Sequence, residues 1–319
     1  MSGAMHVLVI DLSYFVFYRF YALVHYFKLS QKRTDFTNVV DDPEFLAKFT
    51  ELFRRNVMDL IQKHLGVKRR RLLGGDTKNA WGKKILVVFA KDCSRCDIWR
   101  NSIYPDYKKN RDHQKHGVPF DGRIFDHVIK SVLPDLLNEF PFIRIVEAPG
   151  AEADDIAAVL CRRMGEYRGR NRGEGGGDEI KYEHIVVITN DHDYLQLLDY
   201  IDGIYNLQGH DLSMKALSGP SVKNMYMKVL LGDPSDNISG VVTKREAKQL
   251  MEQIDTLDLE GEGDVSTNID AVIRSFLSPK VSLEEIYDRN KKLICFDNIP
   301  DIIVRDIDER WSTITDEFE

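Results

Sequence analysis

The stretch HVLVID, residues 6–11, runs four apolar side chains together (Val7, Leu8, Val9, Ile10) and then stops at an acid, Asp11. A continuous β-branched-rich run this short fits a strand buried on both faces, as strands of parallel sheets are. Four more runs have the same character: ILVVFA (85–90), IRIVEA (143–148), HIVVITN (184–190) and the weaker GIYNLQ (203–208). Helical patterns separate most of them. In DPEFLAKFTELFRRNVMDLIQKHL (42–65), Phe45, Phe49, Leu52, Phe53, Val57, Leu60 and Ile61 recur at three- and four-residue steps. IFDHVIKSVLPDLLNEF (124–140) repeats the pattern, with Pro134 expected to kink it. Strands alternating with helices predict an α/β fold, a mostly parallel central sheet flanked by helices. Such sheets bind ligands at the carboxyl ends of their strands.

Acids gather at those ends. Asp11 closes the first strand and Asp92 lies just past the second. Glu152, Asp154 and Asp155, in GAEADD (150–155), follow the third after a short turn, and Asp191 and Asp193 close the fourth. Asp233 and Asp236 come from LLGDPSDNISG (230–240), farther along the chain. A single acid at such a place often only caps a helix. A convergent set is different, because neighbouring carboxylates cannot all ionise unless cations neutralise them. Oxygen-only ligands, with no paired His or Cys among them, suit Mg²⁺ or Mn²⁺ better than zinc. Two such ions about 4 Å apart can hold the attacking and leaving oxygens of a phosphodiester.

The 319 residues, 43% hydrophobic and 30% charged, are enough for a soluble protein of one large or two ordinary domains. No run of about 18 apolar residues exists, so no membrane span is expected. Four cysteines make no disulfide framework and point to a reducing, intracellular setting. The net charge of −7 argues by itself against nucleic acid, but the charge is unevenly placed. Residues 62–84 carry eight Lys/Arg against one acid, and residues 94–116 carry six against three. Positive segments of this kind bind phosphate backbones.

These residues, in this order, resemble the structure-specific 5′ nuclease family of flap endonucleases, 5′–3′ exonuclease domains and phage-type RNase H enzymes. GAEADD (150–155), TNDHDYLQLL (189–198) and GDPSDNISGV (232–241) carry the resemblance together, and IYPDYKKNR (103–111) is similar to the family's Tyr-Lys-x-Asn-Arg segment. It implies a PIN-like nuclease core with a helical arch near residues 100–135 and an α-helical DNA-binding lobe at the carboxyl end. It also implies two divalent-metal sites: Asp11, Asp92, Glu152 and Asp154 in the first, and Asp191, Asp193 and Asp236 in the second. Asp155 and Asp233 would support them from outer positions. Lys108 and Arg111 would contact the scissile phosphate beside Asp154 and Asp193, with Lys109 next to them. Tyr107 would stack on a base or sugar, and Arg19 would meet a phosphate. Two departures stand out. The first motif, DLSYFVFYRFYA, lacks the usual Gly after its Asp. The segment GVVTKREAKQL (240–250) is two residues shorter than the family's glycine hairpin and lacks the glycines through which it holds a monovalent cation. Lys244, Arg245 and Lys248 could still bind phosphates as point charges.

On this reading residues 5–210 form the nuclease core and 211–319 the helical lobe, with a helix-hairpin-helix-like segment near 229–255. The glycine-rich GEYRGRNRGEGGGDE (165–179) reads as a connector. Cys93-x₂-Cys96 and His113-x₂-His116 approach zinc-finger spacing but miss it at both gaps. Arg69-Arg70-Arg71 reads equally as a phosphate patch, a localisation signal or a solvated loop. The aromatic run Tyr14–Phe27 reads as core, with one or two members free to stack on unpaired bases. The carboxyl end has no sliding-clamp tail. The expected activity is Mg²⁺- or Mn²⁺-dependent hydrolysis of DNA at a 5′ flap or junction, and of RNA–DNA hybrids, by a monomer in the nucleus or, for a virus, the host cytoplasm. The rivals are a PIN-like ribonuclease and a catalytically silent junction binder.

Overall fold

The computed structural model describes residues 4–67, 78, 82–113, 118–170, 181–256, 265–278 and 281–317. Five strands, β1 (Met5–Asp11), β2 (Lys84–Ala90), β3 (Ile143–Val146), β4 (Tyr182–Ile188) and β5 (Gly203–Tyr205), form one parallel sheet in the order β3-β2-β1-β4-β5. The chain winds outward from β1 to one side, then returns to β4 on the other, so the order reverses beside β1. Asp11 pairs with Ala90, and Ile10 with Ile188. The carboxyl ends of β1, β2 and β4 are therefore level, and a crevice opens at the reversal point.

The two faces of the sheet follow the period-two rule. Leu8, Ile10, Val87, Phe89, Val186 and Ile188 enter one core cluster, while Val7, Val9, Val88, Ile185 and Val187 enter the other. The first face is covered by α1 (Leu12–Gln31), α2 (Pro43–Leu65) and α3. Helix α1 begins because the Asp11 carboxylate accepts the Tyr14 amide at 2.9 Å. Helix α2 begins at Asp42, which caps Glu44 and Phe45, and ends at Gly66 with φ of 69°. Helix α3 joins Arg123–His127, a π turn at Val128–Val132 and Leu133–Glu139. The kink expected at Pro134 is this wide turn, which accommodates a residue that cannot donate to the helical ladder.

The second face is covered by α4 (Ala153–Arg170). Residues 165–170 of the expected connector thus belong to a helix, and the rest of that stretch, 171–179, lies outside the described residues. Arg69–Arg71 and His116 also lie outside them. Four helices, α5 (Val222–Leu231), α6 (Lys244–Asp255), α7 (Val265–Leu277) and α8 (Val281–Ile294), enclose a third cluster. The last helix, α9 (Asp301–Asp316), does not join them. Its Ile303, Ile307, Trp311 and Ile314 pack with α4 and the sheet.

Phe53 of α2 shows what fixes the first layer. Its ring meets Phe15 edge-on at 4.6 Å and lies 6.3 Å from Phe89 of β2, fully buried. Phe53→Ala is expected to cost about 3–5 kcal/mol. Urea denaturation measures this, and a loss below about 1 kcal/mol would mean that the layer does not rest on this contact.

Candidate active site

The carboxyl edge of the sheet opens into a cleft of about 750 Å³. Asp11, Asp92, Glu152, Asp154, Asp191 and Asp233 line it, together with Lys108, Arg111, Lys215 and Lys228. Sequence reading expected the acids here, and the structure brings them together. It also brings Lys215 and Lys228, which the sequence gave no reason to place.

Asp11 accepts from Tyr14 N, Thr189 Oγ1 (3.2 Å) and Tyr194 Oη (3.4 Å). Burial, with the charge of Asp92 adding to it, pushes its pKa up to about 7. Asp92 accepts from Ser13 Oγ and from the Ala153 amide at 2.8 Å, which ties β2 to the start of α4. Burial likewise raises Asp154 well above the carboxylate range and Asp193 to about 7. Burial would raise Glu152 too, but Lys108 and Arg100 outweigh it and hold the group low.

Arg100 is the counter-charge that organises this wall. It is 2% exposed. Nη1 donates to Glu152 at 2.8 Å and to Asp155 at 2.9 Å, Nη2 donates to the other Asp155 oxygen at 2.7 Å, and Nε donates to the Leu293 carbonyl at 2.8 Å. Trp99 Nε1 also donates to Asp155, at 2.9 Å. Asp155 is thus fully engaged behind the cleft, consistent with an outer position. The bidentate fork holds α4, and the Nε donation reaches the Leu293 carbonyl of α8, so one buried guanidinium links the two helices.

The GDPSD loop supplies the opposite wall. Gly232 has φ of 68°, and a Cβ there would stand 2.5 Å from the Ile238 carbonyl and 2.6 Å from Gly240 N, so the loop closes only with glycine. Asp233 accepts from Ser235 N at 2.8 Å and pairs its backbone with Ile238. The loop docks on the 106–111 segment through Lys108 N to the Asp236 carbonyl (2.9 Å) and Asn237 Nδ2 to the Asp106 carbonyl (2.8 Å). Lys108 holds a left-handed φ of 57° in this contact.

One expectation needs correction. Tyr107 is 5% exposed in the third core cluster and has no free face for a base. Its hydroxyl instead reaches Glu152 at 3.0 Å and Asp236 at 3.2 Å. Burial, reinforced by the charge of Glu152, keeps the phenol protonated. The side-chain ion pairs gather the other acids in groups that cut across the implied division. Asp236 groups with Glu152 through Tyr107, Lys108 and Arg111, whereas Asp233 groups with Asp191 and Asp193 through Lys228. Arg19, expected to meet a phosphate, stands apart from the acids. It lines a separate pocket of about 210 Å³ with Asn56 and Lys63. Lys109 is exposed and pairs with Asp106 at 2.7 Å, and Lys244, Arg245 and Lys248 are exposed at the start of α6. That helix is set by a Thr243–Glu246 capping box.

The oxygen-only donors, several of them buried beside like charges, fit a hard divalent cation. Among the described residues, Glu152, Asp154 and Asp155 offer ligand atoms within 4.8 Å of one another. The sequence alone suggested no role for Arg100, Lys228, Ser13 or Phe17. Phe17 had a signal there, inside the aromatic run. It is 41% exposed at the cleft, its ring 4.4 Å from Phe120.

Residues 76–226 match the family model of the 5′-3′ exonuclease N-terminal resolvase-like domain. Ribonuclease H of Enterobacteria phage T4 is 26% identical over 228 residues, which cover 69% of this chain and 68% of that one. Flap endonuclease Xni of Yersinia pestis bv. Antiqua is 29% identical over 196 residues, covering 54% and 68%. The 5′-3′ exonuclease of Buchnera aphidicola is 27% identical over 173 residues, and this chain spans only half of its length. The chain is similar to structure-specific 5′ nucleases over more than half of its length. The family fold extends over nearly all of it: the T5 D15 protein, solved with metal ions, superposes with a TM-score of 0.54 at 18% identity, covering 98% of this chain and all of that one. Among the described residues no helix is long and apolar enough to cross a membrane.

The Arg100 fork generates a prediction. Arg100→Met leaves Glu152 and Asp155 buried without their shared partner and should destabilise the fold by about 3–5 kcal/mol. Adding Asp155→Leu should recover part of that loss. A double variant no more stable than Arg100→Met, by chemical denaturation, would show that the fork is not what stabilises this wall.

Proposed function

We propose that the chain is a divalent-metal-dependent 5′ nuclease that hydrolyses phosphodiesters near single-strand/double-strand junctions and leaves 5′ phosphates. The observation that carries this reading is the convergence of Asp11, Asp92, Glu152, Asp154, Asp191 and Asp233 on one cleft at the reversal point of the sheet. The family relation makes a nuclease the expected use of such a cleft. A PIN-like ribonuclease is disfavoured by the GDPSDN loop and by relatives named as flap endonuclease and 5′-3′ exonuclease. A silent binder would gain from losing acids that repel phosphate.

Asp11, Asp92, Glu152 and Asp154 would hold one Mg²⁺ or Mn²⁺, and Asp191, Asp193 and Asp233 a second, with Asp155 and Asp236 supporting them. When bound, the ions supply the positive charge that lets an acidic cleft accept a phosphodiester and stabilise charge developing on its oxygens. The protein's own groups do the rest. Arg100 fixes Glu152 in place and keeps it ionised. Lys108 and Arg111 face the cleft from their ion pairs with Glu152 and Asp236, and a phosphate entering it would compete for them. Phe17 presents a ring at the rim on which an unpaired base can stack. Residues 5–210, braced by α9, would form the catalytic unit and α5–α8 the DNA-binding part, with Lys244, Arg245 and Lys248 meeting the duplex backbone without base readout. RNA–DNA hybrids are a second substrate class to test, given the relative named Ribonuclease H.

A labelled 5′-flap duplex, a nicked RNA–DNA hybrid and single-stranded RNA, each with Mg²⁺ or EDTA, test this directly. The expected result is Mg²⁺-dependent cutting at the junction, stopped by EDTA. Binding without any cut would sink the nuclease reading, and cutting of single-stranded RNA alone would favour the PIN-like one. Asp154→Asn and Asp193→Asn should each abolish cleavage while DNA binding survives. Unchanged turnover in both would mean that the site is misplaced. Lys244→Glu with Arg245→Glu should weaken duplex binding and flatten the log K against log salt slope by about 1 per lost phosphate contact. An unchanged slope would remove α6 from the interface.

A further inference from the structure

Lys228 sits on the last turn of α5, in an otherwise apolar stretch that includes Val229 and Leu230. Its ammonium ion-pairs with Asp193, lies 2.8 Å from Asp233 and 3.7 Å from Asp191. These three carboxylates come from two separate segments, the turn after β4 and the GDPSD loop, and the ammonium is the group that joins them. The lysine stem is largely buried, 19% exposed, so the head cannot leave for solvent without moving off the cleft floor. These are also the carboxylates that would hold the second divalent ion in the function proposed above, on which this inference rests.

We propose that Lys228 is a built-in cation that occupies the place of the second divalent ion and competes with it. An ammonium and a divalent ion cannot share the centre of one carboxylate group, and like charges that close repel strongly in a partly buried site. Lys228 must therefore step aside or weaken the incoming ion. The first group differs: Lys108 pairs with Glu152 alone of its four acids, and Arg100 is tied to Asp155 and Leu293 and comes only to 3.8 Å of Asp154, so neither cation sits between Asp11, Asp92 and Asp154. In the absence of DNA the protein should accordingly hold one divalent ion firmly and the second only weakly. Without the lysine, three carboxylates would need that second ion in order to stay together.

Mn²⁺ binding to the full chain without DNA, followed by the electron paramagnetic resonance of free Mn²⁺, tests the competition. Wild type should bind one Mn²⁺ at least tenfold more tightly than a second. Lys228→Met should tighten the second event at least tenfold and leave the first within about twofold, whereas Lys228→Arg should behave as wild type. Thermal melting guards against a variant that merely folds poorly. Lys228→Met should melt lower than wild type in EDTA and regain most of the loss in saturating Mn²⁺. An unchanged or weakened second event in Lys228→Met, two equal events in wild type, or a melting loss that Mn²⁺ does not restore would each overturn the proposal. A wild type that cuts flaps with Mg²⁺ while giving one of these results overturns this inference alone; one that neither binds Mn²⁺ nor cuts overturns the nuclease reading as well.

Discussion

Crowding of negative charge is the constraint around which this molecule is arranged. Six carboxylates face one cleft, and Asp155, Asp193 and Asp236 stand close behind them. Buried like charges are tolerated only when they are paired or protonated. The chain meets part of this requirement with its own cations: Arg100 on Glu152 and Asp155, Lys108 on Glu152, Arg111 on Asp236, and Lys228 on Asp191, Asp193 and Asp233. The imbalance that remains is concentrated on Asp11, Asp154 and Asp193, whose affinity for protons is raised by burial. An affinity for protons that rises for this reason is also an affinity for metal ions.

The same ion pairs hold the architecture together. Arg100 connects the helix that carries Glu152 and Asp155 to the Leu293 carbonyl in the helical lobe. The GDPSD loop is held to the 106–111 segment by backbone and side-chain bonds, so the two walls of the cleft cannot shift independently. Helix α9 then returns from the lobe to brace α4 and the sheet. Site geometry and domain contact are one set of interactions, which is why a substitution at Arg100 bears on stability as well as on chemistry.

The sheet was legible in the sequence because its strands are buried on both faces. Runs such as HVLVID and HIVVITN can hardly be anything else, and acids placed just past them must lie along one edge. The counter-charges were not legible. Lys228 and Arg100 sit on helical turns, where a Lys or Arg ordinarily reads as a solvated face, and only tertiary packing reveals that each points inward. Lys228 did leave a trace, a lone charge among apolar residues shortly before GDPSD. Tyr107 misled for the opposite reason: its motif suggested a contact with DNA, but the third core cluster claims the ring and leaves only the hydroxyl for Glu152 and Asp236. The grouping of Asp236 with Glu152 likewise depends on a loop contact between positions distant in sequence.

The central claim is that this cleft is a divalent-cation site, and anomalous diffraction from crystals soaked in Mn²⁺ tests it most directly. The account predicts a strong anomalous peak coordinated by Asp154 and its neighbours Asp11, Asp92 and Glu152, with any second peak weaker and beside Lys228. A cleft without an anomalous peak, or Mn²⁺ bound only at surface carboxylates away from it, would contradict the account.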